Sequence, residues 1–331
     1  MVVDTHVHGP HFLPQPFRAA YRFALRRTMP PEDTFGDVKA GGVHLAVATA
    51  VGDPVVTRWY RGSAWDAVRF QLDQIVGEVA AAGGRVVTDA TGARAAASEG
   101  GGPALLLGVE GLDAIGDQLD RLDELHERGV RLAIPVHMRD NQLGTTALPW
   151  QQYAGPVPVR RRAQGLTELG REVVGRLRAL GIVIDVSHAD PVTTSSILDL
   201  GDGPVIASHT GARACDDFAR YLTDEQVLGI AATGGVVGLW PYLRGRHGIR
   251  DRADFQRHAR HLAGLVGASH LCIGTDMNGV PGVMAGYEGE RDFPRLIGAL
   301  VEARFTGAEV EGIAGENFLR VFEAVQHQAN S

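Results

Sequence analysis

Ile182-Val183-Ile184-Asp185-Val186-Ser187-His188 and, a helix-length segment later, Pro204-Val205-Ile206-Ala207-Ser208-His209 decide how this chain is read. Each apolar run is short, β-branched and followed by polar residues, the pattern of a buried strand. Each run ends in Ser-His. Neighbouring strands of a parallel sheet or barrel end at one face. His188 and His209 can therefore meet a single ion although they lie far apart in sequence.

Outward from this pair the alternation continues. Strand-like runs fall at 2–5, 44–50, 104–109, 131–136, 182–187, 205–208, 236–239 and 271–275, with a weaker run at 85–87. Helical patterns fill the gaps, among them 65–82, 117–128, 166–180, 224–232 and 255–266. Leu169, Val173, Val174 and Leu177 recur at the helical period, with Gly181 as a stop. Alternating strand and helix predicts a parallel sheet. Eight such units favour one α/β domain over 1–331, a closed (β/α)8 TIM barrel, rather than a doubly wound sheet. The longest irregular stretch, 141–164, carries Pro149, Trp150, Pro156, Pro158 and the run Arg160-Arg161-Arg162. In a barrel it follows the fourth strand on the catalytic face. The arginine run reads as solvated surface, with a lid over an anionic substrate as the alternative.

Composition narrows the function. The chain is 44% hydrophobic and 21% charged, which suits a soluble globular protein with a sizeable core. Its net charge of -7 leaves no basic excess to neutralise phosphates, so no nucleic-acid or anionic-membrane partner is expected. No basic and apolar leader opens the chain and no run is long enough to span a bilayer, so a cytoplasmic location is the default. Cys215 and Cys272 form no disulfide framework and are read as small buried hydrophobes. Lys39 is the only lysine and precedes a strand-like run, so a Schiff base or a lysine-derived bridging carbamate is discounted. The Gly100-Gly101-Gly102-Pro103 cluster lacks a P-loop lysine and reads as a turn.

The polar residues at the predicted strand ends are Asp4-Thr5-His6-Val7-His8, Glu110, His137, Ser187-His188, Ser208-His209 and Gly274-Thr275-Asp276. A barrel places its active site there, and this mix of imidazole and carboxylate suits zinc or a similar first-row ion. His6 and His8 alternate with Val7, so both imidazoles point the same way in an extended strand. The bland reading of either histidine pair is a hydrogen-bonded polar residue at a strand end. Glu110, in Gly108-Val109-Glu110-Gly111 after an apolar strand, is a poor choice for packing and becomes the candidate carboxylate shared by two metals. Asp276 is a candidate general base or further ligand, against a structural hydrogen bond. His11, His44, His126, His247, His258, His261, His270 and His327 are read as surface or structural.

With these motifs in order, the chain resembles the renal (membrane) dipeptidase family, peptidase family M19, of the amidohydrolase superfamily. The resemblance runs through Gly108-Val109-Glu110-Gly111, Gly165-Leu166-Thr167, both quoted strands, Ile273-Gly274-Thr275-Asp276 and Gly315-Glu316-Asn317-Phe318-Leu319-Arg320. It implies a (β/α)8 barrel with two zinc ions, His6 and His8 on one, His188 and His209 on the other, and Glu110 bridging. It implies Asp276 as the proton-handling aspartate and His137 as the transition-state histidine. It also implies Arg220, in Phe218-Ala219-Arg220, as the holder of a substrate carboxylate. Homodimers are common in the family. Three positions depart from its pattern: His8 stands where an aspartate is usual, Asn278 follows in Asp276-Met277-Asn278-Gly279, and Tyr221 replaces an asparagine beside the substrate arginine. The first change removes one negative charge from the metal pair.

The reading is a zinc-dependent hydrolase of dipeptides or similar N-acyl amino acids with a free carboxylate. Glu110, His137 and Asp276 form the catalytic set, and His137, Arg220 and Tyr221 contact the substrate. The alternatives are a hydrolase of a lactone, cyclic amide or specialised metabolite on the same site, and a metal-binding pseudoenzyme.

Overall fold

The computed structural model describes residues 1–25, 29–154 and 163–329. Among them, eight parallel strands form a nearly closed barrel, hydrogen-bonded in chain order. They are β1 (Val3–Val7), β2 (Leu45–Val51), β3 (Ala104–Glu110), β4 (Val130–Ile134), β5 (Val183–Asp185), β6 (Val205–Thr210), β7 (Val237–Leu239) and β8 (Leu271–Ile273). Each overlaps a predicted run, with ends shifted by at most two residues. The weak run at 85–87 is a two-residue strand, Arg85–Val86, paired to the flank of β3. Between β8 and β1 the seam is closed by single bonds. Thr5 Oγ1 donates to the Ile273 carbonyl at 2.9 Å, and the Asp276 N–H donates to the His6 carbonyl at 2.9 Å.

Strand alternation sorts the apolar side chains into two layers. Val3, Leu45, Leu106, Leu132, Val183, Ile206 and Cys272 fill the barrel interior, whereas Leu105, Leu107 and Ala207 pack against the helices outside. The interior is completed by Phe318, Leu319 and Phe322 of the helix Asn317–Ala329, which covers the end where the strands begin. Each such side chain contributes roughly 1.5–3 kcal/mol on burial. The floor is therefore apolar and sealed, and polar side chains gather at the opposite end.

The helices begin at side-chain caps. Ser63 and Asp66 form a capping box at Ala64–Ala81, and Thr223 and Gln226 form one at Asp224–Ala232. Caps also explain where the bounds shift. Thr167 caps Glu168–Ala179 rather than joining it, and Asp251 starts Arg252–Val266 three residues earlier than periodicity suggests. Gly181, at φ 67°, ends the former as predicted.

The stretch expected to be irregular contains the short helix Trp150–Ala154. Asn141 anchors its start by donating to the Pro135 carbonyl and to Asp113 Oδ2, both at 2.9 Å. Pro156, Pro158 and the arginine run lie outside the described residues. Cys272 is buried as expected, but Cys215 is only half-buried. Lys39 reaches the Gly100 and Gly101 carbonyls on the surface. No described helix is long and apolar enough to cross a membrane.

Candidate functional site

The C-terminal strand ends converge on Glu110, the last residue of β3. Its Oε1 lies 3.1 Å from His188 Nε2, 3.5 Å from His6 Nε2 and 3.7 Å from His209 Nε2. Its Oε2 lies 3.2 Å from His8 Nε2 and 3.3 Å from His137 Nε2. Asp276 Oδ1 sits 3.3 Å from His8 Nε2 and 4.0 Å from His6 Nε2. All these side chains are buried. Residues from six strand ends thus meet in one cluster.

Local backbone explains the convergence. Val7 packs outward, which leaves His6 and His8 to face inward on either side of it. Gly111 turns the chain after β3 at φ 79°, and a Cβ there would stand 3.0 Å from the Cβ of His137. Asp276 and Asn278 adopt left-handed φ values of 57° and 64°, a region Asp and Asn tolerate better than other side chains. A Cβ on Gly279 would lie 2.1 Å from Asp276 Oδ1 and 2.6 Å from His8 Cδ2, so glycine is the residue this corner admits.

Burial pushes Glu110 toward its neutral form. The imidazoles of His137, His6 and His188 outweigh that push and hold its carboxyl well below the usual range. Burial, with the Arg220 guanidinium, keeps His188 neutral far into the acid range, and burial with His6 and Arg220 does the same for His209. His8 behaves oppositely: burial opposes its charge, but hydrogen bonds to Asp276 and Glu110 raise its pKa to about 10.

The donor set fits zinc. The neutral imidazoles of His188 and His209 and the ionised Glu110 are its usual ligands, His8 would release its proton to join them, and ligand atoms around a tetrahedral zinc stand roughly 3.3–3.6 Å apart. The Nε2 atoms of His188 and His209 are 3.1 Å apart and each faces Glu110 Oε1. Among the described residues, His6, His8 and Asp276 form one group of closely spaced donor atoms, His6, Asp185 and His209 a second, and Glu110, His137 and His188 a third.

Arg220 is 1% exposed beside this cluster. Its Nη1 donates to the Ser187 carbonyl, its Nε lies 3.1 Å from Tyr153 Oη, and its guanidinium stands 4.9 Å over the Trp240 ring. Its Nη2, Trp240 Nε1, Tyr242 Oη and Tyr221 Oη have no hydrogen-bond partner among the described residues. Four such donors gathered at the aromatic cluster of Phe218, Tyr221, Trp240 and Tyr242 call for an acceptor. The Tyr221 ring also packs edge-on against Phe218 and His258.

Sequence reasoning overlooked several residues here. Asp53 Oδ2 accepts from His137 Nδ1, and Asp53 is fully buried. It lies just past β2, and reading one strand end further would have found it. Asp185 stands within the quoted motif, and its Oδ1 accepts from the Ser187 and Ser208 N–H groups. Asn278 donates to the His8 and Asp33 carbonyls at 3.0 Å each, which an aspartate could not do.

Comparison with known proteins adds to this geometry. The family model for membrane dipeptidase (peptidase family M19) matches residues 1–331. An uncharacterized dipeptidase of Schizosaccharomyces pombe is 30% identical over 230 residues, 68% of this chain and 54% of that protein. The chain spans about half the length of the curated relatives it matches. Dipeptidase AC, a solved metallo peptidase of family M19, superposes with a TM-score of 0.80 at 23% identity over 98% of both chains. A metallo peptidase from Rhodobacter sphaeroides, liganded with a phosphinate mimic of the dipeptide L-Ala-D-Ala, gives 0.79 at 22% identity over 98% of this chain and 100% of that one. At these identities the structural likeness is one of fold.

Proposed function

Because the chain belongs to the membrane dipeptidase family, peptidase family M19, we propose that residues 1–331 act as one barrel domain that hydrolyses the amide bond of dipeptides or similar N-acyl amino acids with two zinc ions. The observation that carries this reading is the convergence of five imidazoles on the two oxygens of Glu110. His6 and His8 would hold one ion, His188 and His209 the other, and Glu110 both. Bound zinc supplies Lewis acidity toward a carbonyl and brings the pKa of water toward neutrality.

The chain's own groups do the rest. Arg220 Nη2 takes the substrate's terminal carboxylate, helped by the unpartnered donors of Trp240 and Tyr242. That fixes the scissile carbonyl over Glu110. Asp276 receives the proton of the attacking water at Oδ1 and returns it to the leaving amine. His137 Nε2 donates to the oxygen that gains charge, with Asp53 holding the ring from Nδ1.

The test is zinc-loaded protein against a panel of dipeptides and lactones, with metal content measured in parallel. Dipeptide turnover, about two metals per chain and loss of turnover in Asp276→Asn are expected. Turnover of lactones alone would replace the dipeptidase reading, and neither metal nor turnover would leave a pseudoenzyme.

A further inference from the structure

A groove of about 430 Å³ opens on the catalytic face, lined by Pro54, Arg58, Arg139, Asp140, Trp150 and Gln151 among others. It adjoins the proposed machinery on two sides. Pro54 directly follows Asp53, the partner of His137, and Arg139 stands two residues after His137 itself. The Trp150 N–H donates to the Met138 carbonyl at 2.8 Å, which ties the far wall to the same loop. The helix Trp150–Ala154 then spans the remaining gap: Trp150 and Gln151 face the groove, while Tyr153 Oη contacts Arg220. A substrate held between Arg220 and His137 therefore has the groove beside it.

The groove is cationic. The Arg58 guanidinium carbon lies 4.6 Å from the Trp59 ring centre and 6.0 Å from that of Trp150. Aromatic faces hold a guanidinium in place without neutralising it. Arg139 Nε reaches Asp113 Oδ1 only at 3.8 Å. Asp140, the acid of the lining, accepts the Thr146 N–H at Oδ1, 2.9 Å away. Two guanidiniums, one of them held over the Trp59 ring, outweigh the single carboxylate of the lining.

We propose that the groove is an anionic subsite. Alongside the carboxylate at Arg220, the substrate carries a second anion, an acidic side chain, received by Arg58 and Arg139. The proposal rests on the hydrolase reading above and narrows its substrate class. Both arginines are exposed, so water and salt screen them and the preference is moderate.

The experiment compares kcat/KM of the zinc-loaded full chain for Ala-Glu against Ala-Gln and for Glu-Ala against Gln-Ala, at low and high salt, in both stereochemical series. We expect one acidic substrate to exceed its amide by about tenfold at low salt, with the ratio shrinking as salt rises. In the double variant Arg58→Gln, Arg139→Gln the ratio should fall to about one. Equal rates for acid and amide, or a double variant that slows both alike, overturn the subsite. Calorimetric binding of the same four dipeptides separates the two readings. Arg58- and Arg139-dependent tighter binding of an acidic dipeptide with no turnover of any keeps the subsite and sinks the hydrolase; equal binding sinks the subsite.

Discussion

Asp53→Asn isolates the contribution of charge behind His137. The aspartate uses both oxygens. Oδ1 accepts the Val55 N–H at 2.6 Å and caps the helix Pro54–Thr57, while Oδ2 accepts from His137 Nδ1. Asparagine keeps the cap, since its carbonyl oxygen serves equally well there. On the other side it presents an N–H₂ group to Nδ1, which drives the ring proton to Nε2 and leaves the imidazole neutral. In the parent chain burial opposes a charge on His137, but Glu110 and Asp53 overcome it and raise its pKa. The variant exchanges a charged donor for a neutral one. A hydrogen bond to a charged group is worth roughly 1.5–3 kcal/mol and a neutral one about 0.5–1.5 kcal/mol, so the exchange costs roughly 1–1.5 kcal/mol, about a 5- to 13-fold fall in rate at 1.36 kcal/mol per decade. Because the bond strengthens only as the carbonyl oxygen gains charge, the loss belongs in kcat, with KM moving less than about threefold. Steady-state kinetics on a dipeptide, with metal content and thermal midpoint as controls, reads this directly. Asp53→Ala should add the loss of the cap, about 1 kcal/mol of stability. A kcat within threefold of the parent at unchanged metal content, or an effect confined to KM, would falsify the orienting role.

Gly279→Ala should leave the fold intact yet cut kcat/KM by about 100-fold, because its Cβ must displace Asp276 Oδ1 or His8 by ~1 Å; near-parental kinetics would show that neither group needs its present place. Asn278→Asp removes two N–H donors to the His8 and Asp33 carbonyls and should lower stability by roughly 2–4 kcal/mol in chemical denaturation. An unchanged denaturation midpoint contradicts that clip. Asp113 is raised from 3.8 to about 7 by burial first, and then by the charge of Asp53. The native state therefore favours its neutral form. Stability contributed at this site is intact below pH 3.8, is lost as pH rises toward 7, and stays lost above it. Asp113→Asn should accordingly raise the thermal midpoint at pH 8 and leave it nearly unchanged near pH 4; equal shifts at both values would contradict this.

What could be read from the chain alone follows from how local each signal is. The barrel strands are short apolar runs bounded by polar residues, and His6, His8, Glu110, His188 and His209 sit at or beside their ends. A parallel barrel turns that one-dimensional regularity into proximity. Other features depend on partners with no fixed spacing. Asp53 matters because His137, distant in sequence, turns Nδ1 toward it. Tyr153 matters because a stretch expected to be irregular forms a helix that reaches Arg220. Cys215 is half-buried because it follows β6 in a loop rather than joining a strand.

The support beneath Asp276 is the furthest from sequence, since it turns on the count of protons. Thr275 Oγ1 lies 2.6 Å from Asp4 Oδ2 and 2.8 Å from Glu290 Oε1, but a hydroxyl has a single proton to donate. Burial raises the pKa of Asp4 to about 6, but it also accepts the His6 and Thr275 N–H groups, and these three donors leave it the stronger acid of the two. Glu290 is fully buried, and that burial together with the charge of Asp4 pushes its pKa well above the usual range. The proton therefore resides on Glu290, which donates to Thr275 Oγ1 while accepting from Tyr287 Oη at 2.9 Å. A neutral acid, a hydroxyl and a carboxylate in series tie β1 to the residue preceding Asp276 without placing two adjacent charges in the core. Glu290 and Asp4 look alike as letters, and only their shared hydroxyl assigns them opposite protonation states.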